Sequence, residues 1–281
     1  MRVIGIISCK IFEDEIVHLV EQDDEVDEVL IIKNESSEGI VRKLGEVGCP
    51  CREITLENVE AHRGLREMHL EGGEGLALVL NVLEIVGMGK RRTRLKLNVY
   101  EAVLRMSLFS DGLLLFYGLC GNMLKDLEED FGHLDCPLLF LRDAEGNLVD
   151  DCICATLGGK KAFVDTVKSF TGARTFMLTP MWAASWENMI VANGFARSLE
   201  KLEESRMVFR AARYTQVAKI DTGLKYQLDF EARVQEFASY YDFNVREIEA
   251  APVLFERCYR ELKCTVESAG LNVINGCSRL A

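Results

Sequence analysis

A parallel α/β architecture, with sheets flanked by helices, is the fold class this chain predicts, and three observations carry it. Val3–Ser8 and Asp111–Tyr117 are short and nearly all apolar, the composition of strands covered on both faces. Between such runs lie segments with apolar residues at three- and four-residue spacing, the period of a helix seated on a sheet. From Val3 to Ile54 the two kinds alternate as strand, helix, strand, helix, strand, which predicts parallel strands joined by helical crossovers.

The elements follow in order. Glu13–Val20 has helical spacing and opens on acidic residues, which suit the positive end of a helix dipole. Val26–Ile32 reads as the second strand, Ser36–Glu46 as the second helix and Cys51–Ile54 as a third strand. Glu74–Val86 and Asn98–Ser110 carry apolar residues at helical spacing and are expected to be helices. Asp111–Tyr117 returns to a buried strand, followed by a helix over Met123–Phe131. Pro137–Leu141 is the next strand, its proline placed where a missing N–H costs least. Lys160–Phe170 reads as a helix and Thr175–Thr179 as a strand closed by Pro180. Trp186 to about Ala212 has the pattern of a long amphipathic helix broken near Gly194. Val217–Ile220, a helix over Phe230–Tyr241 and a strand near Val245–Ile248 complete a second α/β set. No structure is assigned from Gly270 onward. The expected organisation is an N-terminal α/β portion over residues 1–142 and a C-terminal one over 143–281, or one compact domain. Strand, turn and helix recur at 3–20, 112–131 and 175–190, so two or three similar units around a central site are a further expectation.

Composition narrows the function classes. A formal net charge of −12 argues against nucleic-acid binding, which needs a basic surface to neutralise phosphates. Lys90–Lys96 is a local basic run, read as a solvated helix start or as a receiver for an anion. No apolar stretch reaches the roughly 20 residues that span a bilayer, so no membrane insertion is expected. The first residues lack a basic, apolar and small-residue leader pattern, and a cytoplasmic, reducing location is expected. Ten cysteines in that setting point to metal ligation, or to free thiols that pack as small apolar groups. The packing reading is taken for Cys136, Cys258, Cys264 and Cys277.

Three other cysteines are placed for chemistry. Cys9 and Cys120 stand just past two apolar runs, where the exits of parallel strands gather functional groups, and Cys152 lies in Asp150-Asp-Cys-Ile-Cys154. Thiolates brought together from distant segments are soft ligands for a [4Fe–4S] cluster or for Zn²⁺. Three such ligands leave one position open to a small molecule. The first two loops run into expected helix N-termini, whose partial positive charge favours the thiolate. The alternative is three unrelated core cysteines at strand ends. Cys154 shares a face with Cys152 if that segment is extended, and so either ligates or packs. Cys49 and Cys51 lack a second close pair, so a structural zinc site is not expected there.

These segments also resemble an uncharacterised family found chiefly in methanogenic archaea and anaerobic bacteria, domain-of-unknown-function family 1638. The stretches that carry the resemblance are Ile6–Cys9, Phe116–Asn122, Asp151–Gly158, Thr175–Trp182 and Ile220–Gly223, spread over about Arg2 to Ala250. The family pattern implies a Pro-Arg and a His before the Asp-Cys-Ile element; here Asp150 precedes Asp151, and Arg142 is remote. The resemblance implies a setting in anaerobic one-carbon metabolism, methanogenesis and corrinoid methyl transfer. A corrinoid protein or its methyltransferase is the partner it suggests, and the role is enzymatic or that of a non-catalytic accessory or redox-maintenance protein.

Around the thiols, the remaining candidates each have a plain structural alternative. Gly118, Gly121 and Asn122 bracket Cys120 and permit close backbone approach to a cofactor, or simply form a strand-to-helix turn. Asp151 is a candidate acid, base or metal ligand, or a solvated turn residue. Tyr117 is a candidate catalytic phenol at a pocket rim, or a core aromatic. Thr179 and Trp182 follow a strand and could line the same cleft, with Trp182 stacking on a flat cofactor, or else pack in the core. His18, His62, His69 and His133 form no paired metal motif, and no phosphate loop or nucleophile elbow is present.

Overall fold

In a computed structural model, residues 2–57, 75–84 and 92–277 are described, with side chains for 2–57, 75–84 and 94–269. Six strands, β1 (Arg2–Cys9), β2 (Val26–Ile32), β3 (Arg52–Ile54), β4 (Leu76–Leu83), β5 (Gly112–Phe116) and β6 (Leu138–Phe140), form one sheet. Its order is β3-β2-β4-β1-β5-β6 and every pairing is parallel. β7 (Arg174–Leu178), β8 (Tyr214–Asp221) and β9 (Asn244–Glu249) form a second, three-stranded parallel sheet. The mixed α/β class with parallel sheets and flanking helices is therefore the observed one.

Both faces of the large sheet are covered, which is why its central strands β1, β4 and β5 are mostly apolar. On one face lie α1 (Glu13–Glu21) and α2 (Ser37–Glu46), through Ile16, Val17, Ile40 and Leu44. On the other lie α3 (Arg92–Met106) and α4 (Leu127–Asp130), through Val99, Val103 and Leu127. The first core runs on without a break into the second sheet. It takes in Met181 and Trp182 of α7 (Pro180–Ala184) and Val234 and Phe237 of α10 (Phe230–Tyr241). Phe176 of β7 stacks on Phe237 with ring centroids 5.5 Å apart, at the centre of an aromatic group that includes Phe209 of α9 (Glu203–Ala211). The last helix, α11 (Val253–Cys277), crosses back to the large sheet. Its Phe255 lies 5.0 Å from the ring of Phe12 and 5.3 Å from that of Phe116.

Four expectations need correction. Leu76–Leu83, expected within a helix over 74–86, is β4, inserted between β2 and β1. A short run that is apolar at all positions but one, Asn81, satisfies a helix stripe and a doubly covered strand equally well, and the waiting strand edges decide. Glu74, Ile85 and Val86 lie outside the described residues. Helix over Met123–Phe131 shrinks to the single turn of α4, because Cys120–Asn122 is left-handed backbone that cannot lead directly into a helix. Trp186–Ala212 divides into α8 (Trp186–Ala192), a 3₁₀ turn and α9, with Gly194 in a left-handed turn at the break. Residues beyond Gly270 continue α11 as far as Cys277. His62, His69, Lys90 and most of the Gly72–Gly75 run lie outside the described residues.

Candidate functional site

β1 and β5 are neighbours whose following segments leave on opposite faces of the sheet. β1 leads into α1 on one side; β5 leads into the loop before α4 on the other. Such a divergence opens a crevice at the carboxyl ends of the strands, the usual ligand position in this architecture. Cys9 is the last residue of β1, and Ser8 pairs with Phe116, which brings Cys9 level with Tyr117.

The third segment is fastened to this crevice by backbone. Leu119 N–H donates to Val149 O and Cys120 N–H to Asp150 O, both at 2.9 Å. A β-carbon on Gly118 would stand 2.7 Å from the N and Cα of Asp151, so only glycine allows the two segments to lie this close. Cys120, Gly121 and Asn122 then take successive φ angles of 47°, 69° and 65°. Left-handed backbone at the non-glycine positions is strained, and such strain persists where surrounding contacts enforce it. Asp151 ends the fastened segment as the N-cap of α5 (Cys152–Thr156), its Oδ1 accepting from Cys154 N at 2.8 Å.

Cys9, Cys120 and Cys152 are each half-buried and free. Cys152 packs on the core of one sheet face, Cys120 on the other, and Cys9 on both. Burial pushes the Cys9 thiol up to about 12, helped by the charges of Cys120 and Glu13. Burial and the Asp151 carboxylate push Cys120 up to about 12. Cys152 is raised by burial first, then by Asp151, Cys9 and Cys120. The three sulfurs therefore feel one another. Tyr117 is raised by burial and by the charges of Cys9 and Cys120, and its hydroxyl, beside Cys9, has no hydrogen bond of good geometry. These shifts correct the expectation that helix N-termini favour the thiolate. Desolvation and acidic neighbours outweigh the short helical turns that follow Cys9 and start at Cys152.

Other expected members lie elsewhere. Cys154 is not on one extended face with Cys152: both are in α5, where two residues turn the side chain to the opposite side, and Cys154 is 2% exposed in the core. Its neighbouring charges are Asp151, Asp150 and Lys160, not the other thiols. Thr179 caps α7, accepting from Trp182 N, and Trp182 packs edge-on against Phe176 with centroids 5.3 Å apart. Both are buried, at a short helix that packs on the turn after Cys9 as well as on β7. Of the cysteines read as packing residues, Cys258 is buried, Cys136 is half-buried and Cys264 is exposed. Among the described residues, no three His, Cys, Asp or Glu side chains stand in a ready metal-holding arrangement. The donor chemistry of the thiol group suits a soft cation.

A second polar group lies beside the first. Lys43 of α2 is 1% exposed, with its Nζ 2.6 Å from Asp14 Oδ1, 3.3 Å from Glu13 Oε2 and 2.8 Å from Met181 Sδ. Glu13 Oε1 and Asp14 Oδ2 have no partner. Burial and the Asp14 charge push Glu15 up to about 8, and burial raises Glu13. Read as a dipole-matched first turn, these acids are in fact buried; the readable signal was Lys43, which falls on the inner stripe of α2 between Ile40 and Leu44.

Among the described residues, no helix is long and apolar enough to cross a membrane. No curated protein and no solved structure matches the chain. Residues 86–259 match the profile of a family described as Protein of unknown function (DUF1638). The match begins after β4, so it covers Cys120 and Cys152 but not Cys9. It spans more than half of the 281 residues, and the chain belongs to the DUF1638 family.

Proposed function

We propose that Cys9, Cys120 and Cys152 form a thiolate site for a [4Fe–4S] cluster, with Zn²⁺ as the alternative, in a cytoplasmic protein of one-carbon or corrinoid methyl metabolism. The observation that carries this reading is the backbone fastening of the Cys120 and Cys152 segments beside the end of β1. Once bound, a metal or cluster held by three protein sulfurs offers an open position that polarises a small molecule.

The chain's own residues divide the remaining work. The thiols surrender their protons to the solvent as ligation begins, so binding weakens as pH falls. The Asp151 carboxylate beside Cys120 and Cys152 disfavours bare thiolates and would favour a cation among them. Tyr117, whose hydroxyl lies beside Cys9 without a well-formed hydrogen bond, donates one to a molecule seated over the sulfurs. The corrinoid setting is supported by the resemblance alone. A non-catalytic accessory or redox-maintenance partner of a corrinoid methyltransferase would use the same site without turnover.

Anaerobic purification with iron, zinc and sulfide analysis tests the reading. Iron with equimolar sulfide and a visible absorption band, lost alike in Cys9→Ala, Cys120→Ala and Cys152→Ala and kept in Cys154→Ala, is the expected result. Stoichiometric zinc with the same mutational pattern selects the alternative. Folded protein free of metal and sulfide after reconstitution overturns both.

A further inference from the structure

We propose that a separate cavity at the carboxyl ends of β2 and β4 binds a small, planar, neutral molecule through a carboxamide or an equivalent acceptor–donor edge. The cavity measures about 210 Å³ and is lined in part by Asn34, Asn81, Leu83, Asn98 and Arg105. That is below the roughly 300–1,000 Å³ of sites for drug-sized ligands, and suits a single ring or less. Leu83 pairs with Cys9 in the sheet, so the cavity begins one strand from the end of β1. It uses no cysteine, so it stands or falls apart from the metal reading.

Asn81 is the residue that needs explaining. It is the lone polar side chain in β4, a central strand that is otherwise Leu, Ala and Val, and it is 2% exposed. Its amide oxygen accepts from Asn34 Nδ2 at 3.2 Å, while among the described residues its amide nitrogen has no acceptor. Asparagine there weakens a buried strand unless something completes its hydrogen bonds. Asn98, across the cavity on α3, likewise has no hydrogen bond to a described residue. A carboxamide satisfies both: its oxygen accepts from Asn81 Nδ2 and its NH₂ donates to Asn98 Oδ1.

Charge selects the neutral form. Arg105 stands 3.5 Å from Glu101 and 3.8 Å from Glu57, and Lys33 stands 3.4 Å from Glu53. The cations at this end of the sheet are thus met by carboxylates, and an anionic ligand gains little from them.

Nicotinamide and its isosteric acid nicotinate are the probes, titrated into the full chain with asparagine side chains labelled with ¹⁵N. Saturable shifts of the Asn81 and Asn98 amide signals with nicotinamide, and binding of nicotinate roughly tenfold weaker or more, are expected. Asn98→Ala, on a helix surface, weakens nicotinamide binding. Asn81→Leu abolishes it while leaving the melting temperature unchanged or raised, a combination that a structural asparagine does not give. Absence of shifts up to ~10 mM nicotinamide, nicotinate binding as well, or an Asn81→Leu variant that is destabilised or still binds overturns the proposal.

Discussion

Two buried polar groups meet near the end of β1, and they solve the problem of buried negative charge in opposite ways. Around Lys43, the carboxylates of Glu13 and Asp14 have a cation built into the fold at 2.6–3.3 Å. Around Cys9, the neighbours of the three sulfurs are acids and a phenol, and the sulfurs stay protonated near neutral pH. Glu13 touches both groups, since its charge is felt by Cys9 and it contacts Lys43. A desolvated acidic group escapes bare negative charge either by a built-in cation or by holding its proton. The first group carries its counter-cation within the fold; the second keeps its protons.

Removing the built-in cation gives the largest expected effect. Lys43→Met leaves two buried carboxylates without a counter-charge and should cost about 3–5 kcal/mol in chemical denaturation. A loss under ~1 kcal/mol would mean that those acids are already neutral and the contrast between the groups is false. The next effect belongs to the thiol group's frame. Gly118→Ala drives a methyl group into the backbone at Asp151 and should cost about 1–3 kcal/mol. It should also separate the Cys120 and Cys152 segments, read as reduced metal content after reconstitution in protein that remains folded. Retained metal in folded Gly118→Ala would show that the close approach does not set the site.

The smallest effect sharpens the electrostatic side of the comparison. Asn caps helices about as well as Asp, so Asp151→Asn should leave stability within a few tenths of a kcal/mol. It removes the negative neighbour of Cys120 and Cys152, whose thiols should fall in pKa and alkylate roughly threefold to tenfold faster at alkaline pH. Exposed Cys264 is the internal control. Equal rates in both proteins would remove Asp151 from the account of the site.

Much of the frame was legible because burial on two faces leaves a plain mark. β1, β5 and the second half of β2 are apolar at nearly every position, and no surface helix has that composition. The same uniformity hid β4, where apolar spacing alone cannot tell a strand from a buried helix. The positions of Cys9 and Cys120 at strand exits were readable for the same reason as the strands. The conformation of the Cys152 segment was left open, although Asp151 before a short run closed by Gly158 and Gly159 is a capped helical turn. The partnership of Lys43 with Glu13 joins two helices through tertiary packing, and no local pattern encodes that distance.

The return of α11 to the large sheet bears on how the chain matures. Phe255 seals Phe12 and Phe116, and Leu262 and Val266 press against the glycine that opens β5. During synthesis, the first sheet emerges long before its last cover, and that greasy face waits for the ribosome to deliver residues 253 onward. Nascent chains are therefore most prone to clump in that interval, and a chaperone would act there to the greatest benefit.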